Sequence, residues 1–194
     1  FSLEQQEAAL TGCHLWDKES GDYNRPFIQR LLPGRKICLL TVGYRRLGLI
    51  TSKDNPKGIS DLKDLKRQDL YFKNRQPGAG TRVWLDVQLN LMDISANDIR
   101  GYNNCALTHS EAASAVMAGQ ADLTLGIESA AIAYNLDFIP LTTECYELAI
   151  PGEIWQNPSI QTILHFLTSA PFIEEIASIG GYETEKTGKV RWVE

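Results

Sequence analysis

Asn74-Arg75-Gln76-Pro77-Gly78-Ala79-Gly80-Thr81-Arg82 joins a short strand-like run, Leu70-Tyr71-Phe72-Lys73, to a segment of helical spacing. In that segment, Val83 to Met92, the apolar positions are Val83, Trp84, Val87 and Leu91. Strand, glycine-rich turn and helix start together form a seat for an oxyanion. Gly78 and Gly80 carry no Cβ, so the backbone can turn tightly and approach a ligand. The first N–H groups of the helix have no intrachain acceptor and carry the positive end of its dipole. An anion satisfies both. Thr81 adds a hydroxyl donor, while Arg75 and Arg82 offer charge and forked donors. The simpler alternative is a plain loop with Thr81 capping the helix. A Walker loop is not indicated, because no lysine follows the second glycine.

The 194 residues suffice for one α/β domain or two small lobes with an apolar core. A hydrophobic content of 43% and a charged content of 22% are ordinary for a globular protein. The net charge of −5 argues against a nucleic-acid surface, which needs clustered Lys and Arg. It does not argue against a small anion, which local dipoles can hold. Cys13, Cys38, Cys105 and Cys145 are widely spaced and read as free buried thiols in a reducing compartment. No run reaches transmembrane length. The chain opens at Phe1 inside a helix-like segment and reads as a piece of a longer polypeptide.

Alternating helices and strands follow. Asn24 to Leu32 reads as a helix capped by Asn24 with Pro26 in its first turn. Ile37–Val42 and Leu47–Ile50 read as two buried strands. Asp54-Asn55-Pro56-Lys57-Gly58 is turn chemistry, after which Ser60 caps a short helix. Ser110 to Ala118 is a helix of small residues. Phe138–Leu141 and Tyr146–Ile150 read as the last strands, before a helical tail of 159–167 and 172–179 ending at Gly180-Gly181. The segments Gln6–Gly12 and Gly119–Gly126 echo one another as a helix end entering a short strand, which suggests two lobes built alike.

The ordered motifs carry a resemblance. They are Gly12-Cys13-His14-Leu15, Gly21-Asp22-Tyr23-Asn24, Leu49-Ile50, Asn55-Pro56-Lys57-Gly58-Ile59, Asp61-Leu62, Asn74-Arg75-Gln76 with Gly78-x-Gly80-Thr81-Arg82, and Ala121-Asp122 with Gly126-Ile127-Glu128. From about Leu10 to about Pro151 the chain resembles the cytoplasmic periplasmic-binding-protein-like domain of molybdate-type helix-turn-helix regulators and molybdopterin-biosynthesis proteins. The resemblance implies an α/β, two-lobed type II fold with ligand in an interlobe cleft, and a first lobe that is amino-terminally incomplete. Lobe 1 is expected in 1–46 plus 151–194 and lobe 2 in 47–150, with crossing strands near Leu47–Ser52 and Tyr146–Ile150. A strand, a helix and a second strand are expected before Phe1. Their absence would leave an unpaired sheet edge, hence an expectation of self-association. Ala79 departs from the Ser common in related loops, which removes one hydroxyl.

The implied function is non-catalytic sensing of a molybdate- or tungstate-like oxyanion, relayed to a fused helix-turn-helix or molybdopterin-biosynthesis partner. No cofactor, metal, membrane or direct nucleic-acid contact is expected. The candidate ligand-binding set is Asn74, Arg75, Gly78, Ala79, Gly80, Thr81, Arg82, Thr108, His109, Ser110, Ile127, Tyr146 and His14. Thr108 to Ser110 would form a second seat at a helix start, unless Thr108 only caps. Glu128 would repel a dianion, so either its backbone N–H is expected to serve the ligand or its carboxylate to pair with Arg75 or Arg82. Two alternatives stay open: a truncated remnant or scaffold that binds nothing, and a molybdopterin-related enzyme.

Overall fold

The computed structural model describes Leu3, Gln5 and residues 7–194. In chain order its elements are β1 (Thr11–Cys13), α1 (Arg25–Leu31), β2 (Ile37–Thr51), β3 (Phe72–Arg75), α2 (Gly80–Leu91) and β4 (Cys105–Ala106). There follow α3 (His109–Met117), β5 (Leu123–Ile127), α4 (Glu128–Ala133), β6 (Asp137–Pro151), α5 (Pro158–Leu167), α6 (Ala170–Ile179), β7 (Tyr182–Glu183) and β8 (Val190–Val193). Short 3₁₀ turns link several of them. The chain divides into two compact units, residues 1–45 with 144–194, and residues 46–143. The two long strands β2 and β6 each run from one unit into the other. No helix among the described residues is long and apolar enough to cross a membrane.

In the first unit β1 pairs antiparallel with β6, β6 neighbours β2, and β2 pairs antiparallel with β8 and β7. Ile37 and Leu39 pack with Ile28, Leu32, Ala149 and Val193, while Cys38 and Leu40 pack with Ile150, Ile160 and Leu167. Successive β2 side chains point to opposite faces, so a run apolar at every position is a strand covered on both sides. α1 supplies one cover and α5 the other. Each fully buried Leu or Ile contributes about 1.5–3 kcal/mol.

In the second unit β3 lies between β5 and β4 and runs parallel to both, with Phe72 opposite Leu123 and Asn74 opposite Cys105. β5 pairs antiparallel with the second half of β2, from Leu47–Ile127 to Thr51–Leu123. Each of the three parallel strands runs into a helix: β3 into α2, β4 into α3 and β5 into α4. Their C-terminal ends therefore place three helix beginnings along one sheet edge, the edge where open α/β sheets receive ligands.

Several local expectations are corrected. Ile37–Val42 and Leu47–Ile50 are one strand, as are Phe138–Leu141 and Tyr146–Ile150. β7 and β8 follow the segments expected to be last. Asn24 stands before α1 at φ 62° but makes no cap bond; its side chain serves Leu15 N–H and Glu147. Asp61, not Ser60, caps the 3₁₀ turn Leu62–Lys66, with Asp64 closing a capping box. The helix expected at the start falls partly on Phe1, Ser2, Glu4 and Gln6, outside the described residues, and Ala8 to Leu10 are not helical.

Candidate functional site

The turn from β3 into α2 is shaped by glycine and by what its cap lacks. Gly78 sits at φ 85°, where a side chain would be strained. Ala79 takes the cap position in extended geometry and has no side-chain acceptor, so the opening N–H groups at Gly80, Thr81 and Arg82 receive no cap. Thr81 is thus the second helical residue, not the cap. It is 1% exposed, and its hydroxyl is enclosed with no hydrogen-bond partner among the described residues.

The arginines of this turn are committed to neighbours. Arg75 donates from Nη2 to the Leu107 carbonyl at 2.8 Å and from Nε to that of Ala106 at 3.4 Å, tying the β3–α2 turn to the β4–α3 turn. Arg82 is 7% exposed. Its Nε donates to Asp86 at 2.8 and 3.1 Å, its Nη1 to the Arg75 carbonyl at 3.2 Å, and its plane lies 3.9 Å from the Tyr102 ring. Tyr102 in turn donates to Asp86. Asn74 is buried, donating to the Tyr102 carbonyl and accepting from Arg75 N–H. Together these side chains brace the turn and leave uncharged donors to line it.

At the next helix start Thr108 accepts from Glu111 N–H at 3.0 Å, which is a cap, and Glu111 accepts from Leu107 N–H at 2.7 Å. Ser110 is exposed. The His109 ring rests against Gly126 at the end of β5, where an added Cβ would come within 3.4 Å of Nδ1. Ile127 is the extended residue before α4. Glu128 pairs with Arg46, in place of the Arg75 or Arg82 expected from the sequence. The second unit thus holds Asn74 to Arg82, Thr108 to Ser110 and Ile127 along one sheet edge.

His14 and Tyr146 belong to the first unit, where they meet two residues the sequence reading passed over. His14 Nδ1 lies 3.1 Å from Oε2 of Glu144, which is 2% exposed, and Arg45 Nε donates to the other oxygen. The Arg45 plane covers the Tyr146 ring at 4.7 Å, and the His14 and Tyr146 ring centres are 5.8 Å apart. The Tyr146 hydroxyl passes over Gly12, where an added Cβ would stand 2.2 Å from the oxygen. The signal for Arg45 was present: Arg45-Arg46 interrupts an otherwise apolar strand.

Burial alone would raise the Glu144 carboxyl; the His14 hydrogen bond and the Arg45 charge outweigh it and hold the group below its ordinary 4.5. A carboxyl depressed on folding stabilises the fold above its unfolded pKa and loses that contribution as pH falls through its folded pKa. Acidification below about pH 4.5 is therefore expected to destabilise the parent more steeply than Glu144→Gln. Urea unfolding across that range measures it, and parallel profiles would refute it.

All four cysteines are unpaired, and burial foremost pushes Cys13 and Cys38 up to about 12 and Cys145 to about 11, which keeps these thiols protonated.

A PBP superfamily domain matches residues 2–168. The chain belongs to this superfamily. It is 39% identical over 190 residues to the uncharacterized protein YvgK of Bacillus subtilis (strain 168), covering 98% of this chain and 61% of YvgK. Among solved structures it is similar to a putative phosphate ABC transporter substrate-binding protein with bound phosphate from Clostridium perfringens. That likeness has a TM-score of 0.62 at 13% identity, over 93% of this chain and 81% of that one. It is also similar to the substrate-binding domain of a putative molybdenum ABC transporter from Clostridium difficile, with a TM-score of 0.54 at 17% identity, over 94% and 81% of the two chains. These likenesses establish an α/β fold of the two-lobed binding-protein type. The parallel strands and helix starts of the second unit are the part of this PBP-like chain that bears the candidate seat.

Proposed function

We propose that this PBP-like chain is a non-catalytic sensing module whose second unit seats a small tetrahedral oxyanion on the first turn of α2. The observation that carries the reading is the Thr81 hydroxyl, buried and without a partner among the described residues, beside an uncapped helix start. A buried hydroxyl left without a hydrogen bond costs about 1–3 kcal/mol, so a partner that arrives with the ligand accounts for its presence. Backbone N–H groups and a hydroxyl suit an unprotonated tetraoxyanion, each oxygen of which accepts several bonds. The similar solved proteins named for phosphate and for molybdenum support the anion class, and molybdate or tungstate is the member proposed. Association with a helix-turn-helix or molybdopterin-biosynthesis partner in the cytoplasm belongs to the same proposal, since the chain spans 61% of YvgK.

Thr81→Val separates this reading from a structural role. It removes the unpaired hydroxyl at nearly constant shape, so the ligand-free protein should become more stable, by up to about 1 kcal/mol. Affinity for molybdate should fall by about 1–3 kcal/mol, roughly 5- to 150-fold. Thermal melts and calorimetric titration with molybdate, tungstate, phosphate and sulfate measure both. A variant that binds as tightly as the parent makes the turn a plain helix start, and a parent that binds none of the four anions removes the function.

A further inference from the structure

The Arg45 side chain is only 11% exposed, yet its hydrogen bonding among the described residues is confined to Nε. Glu144 holds that nitrogen from one side and the Tyr146 ring supports the guanidinium plane from another. The two Nη groups, four N–H donors, have no acceptor among the described residues. Those donors are not enclosed by protein, so an incoming acceptor can reach them. Glu144 takes one contact on each oxygen, from Arg45 and from His14, so it neutralises the charge without covering the fork. The Tyr146 ring that the guanidinium covers carries a hydroxyl, which has no hydrogen-bond partner among the described residues and is admitted over Gly12 because that position lacks a Cβ. Register explains the grouping. Cys13 pairs with Glu147, so His14 follows the strand toward Tyr146, while Glu144 and Tyr146 share one face of β6.

We propose that Arg45 is an anion-binding residue of the first unit, its guanidinium fork and the Tyr146 hydroxyl taking a small ligand that presents two coplanar oxygens. Carboxylates and tetraoxyanions share that chemistry, and a guanidinium matches both in paired fashion. Glu144 is a positioning residue: it fixes the angle of the fork through Nε and does not touch the ligand. The proposal is independent of the Thr81 seat, which lies in the other unit.

The test uses the full chain with ¹⁵N-labelled arginine, titrated separately with sodium molybdate, sodium phosphate and sodium succinate. The Arg45 guanidinium resonance, identified by its loss in Arg45→Lys, should shift at millimolar concentration of at least one of them, and which one distinguishes an inorganic from an organic anion. Arg45→Lys keeps a cation for Glu144 but loses the fork, so affinity for that anion should drop about tenfold or more with the melting temperature little changed. Tyr146→Phe, which deletes one hydroxyl, should lower affinity about threefold to tenfold. An unmoved Arg45 resonance with all three anions overturns the proposal, as does a folded Arg45→Lys protein of parental affinity. Should Arg45→Lys fail to fold, the resonance in the parent and the Tyr146→Phe affinity decide. Thr81→Val reports on the other seat: a loss there with an unmoved Arg45 resonance sinks this proposal alone, and a shifted Arg45 with no effect of Thr81→Val sinks the seat alone.

Discussion

Arg191→Ala is expected to destabilise the protein by about 3 kcal/mol. Glu147 is 1% exposed, and Arg191 approaches it with two nitrogens at 2.9 and 3.2 Å. The same guanidinium reaches Asp22 at 3.1 and 3.2 Å and the Tyr23 carbonyl at 3.0 Å. Removing the cation strands a carboxylate in the core, which typically costs 3–5 kcal/mol. The lower end applies because Arg191 is about a third exposed, at 37%, and Glu147 keeps the Asn24 amide at 2.8 Å. For a chain of this length the melting temperature should fall by roughly 6–12 °C. Adding Glu147→Gln removes the stranded charge and should restore part of the loss. A double-mutant cycle by urea unfolding measures the coupling, and an Arg191→Ala protein within about 0.5 kcal/mol of the parent would mean that solvent already carries the charge.

Gly101→Ala should be comparably damaging for a different reason. Gly101 sits at φ 88°, and an added Cβ would stand 2.1 Å from the Phe72 carbonyl oxygen and 3.0 Å from the Phe72 nitrogen. Positive φ costs an ordinary residue about 1–2 kcal/mol, and overpacking against fixed backbone about 1–3 more. Phe72 begins β3 and is 1% exposed, with its N–H donating to the Arg100 carbonyl at 2.9 Å, so the clash cannot be relieved by a side-chain rotation. A loss of roughly 3–4 kcal/mol is expected, together with weakened anion binding, because β3 delivers the turn to α2. Gly78→Ala, where the added Cβ meets nothing within 4 Å, should cost only the φ penalty, about 1–2 kcal/mol. Equal costs at the two positions would show that close approach of the backbone is not what demands glycine at Gly101.

Local chemistry made the strand, turn and helix around Gly78 legible in the sequence, because each signal acts within a few residues. Glycine at positive φ, apolar spacing along α2, and Thr108 capping α3 depend on neighbours in the chain. The same holds for the alternating α/β order and for the Gly180 stop after α6. The pair Arg82–Asp86 was also within reach, since residues four apart on a helix face one another.

What the sequence left open turned on partners far along the chain. Asn24 has the chemistry of a cap, yet its amide is drawn to Glu147, 123 residues away, which no local rule weighs. Ile37–Val42 and Leu47–Ile50 looked like two strands because Gly43 and the two arginines interrupt the apolar run. Tertiary pairing with β8 and β7 on one half and β5 on the other extends the strand through the break. Arg75 and Arg82 looked like ligand donors by residue type, and the fold spends both on carbonyls and Asp86. The donors left at the β3–α2 turn are therefore uncharged, while the Arg45 guanidinium, placed by a carboxylate and a tyrosine from β6, keeps its Nη donors unfilled among the described residues. Residue types marked which side chains have the chemistry an anion would need. Only tertiary structure decided which donors remain available, because a donor is available only when no distant acceptor has claimed it.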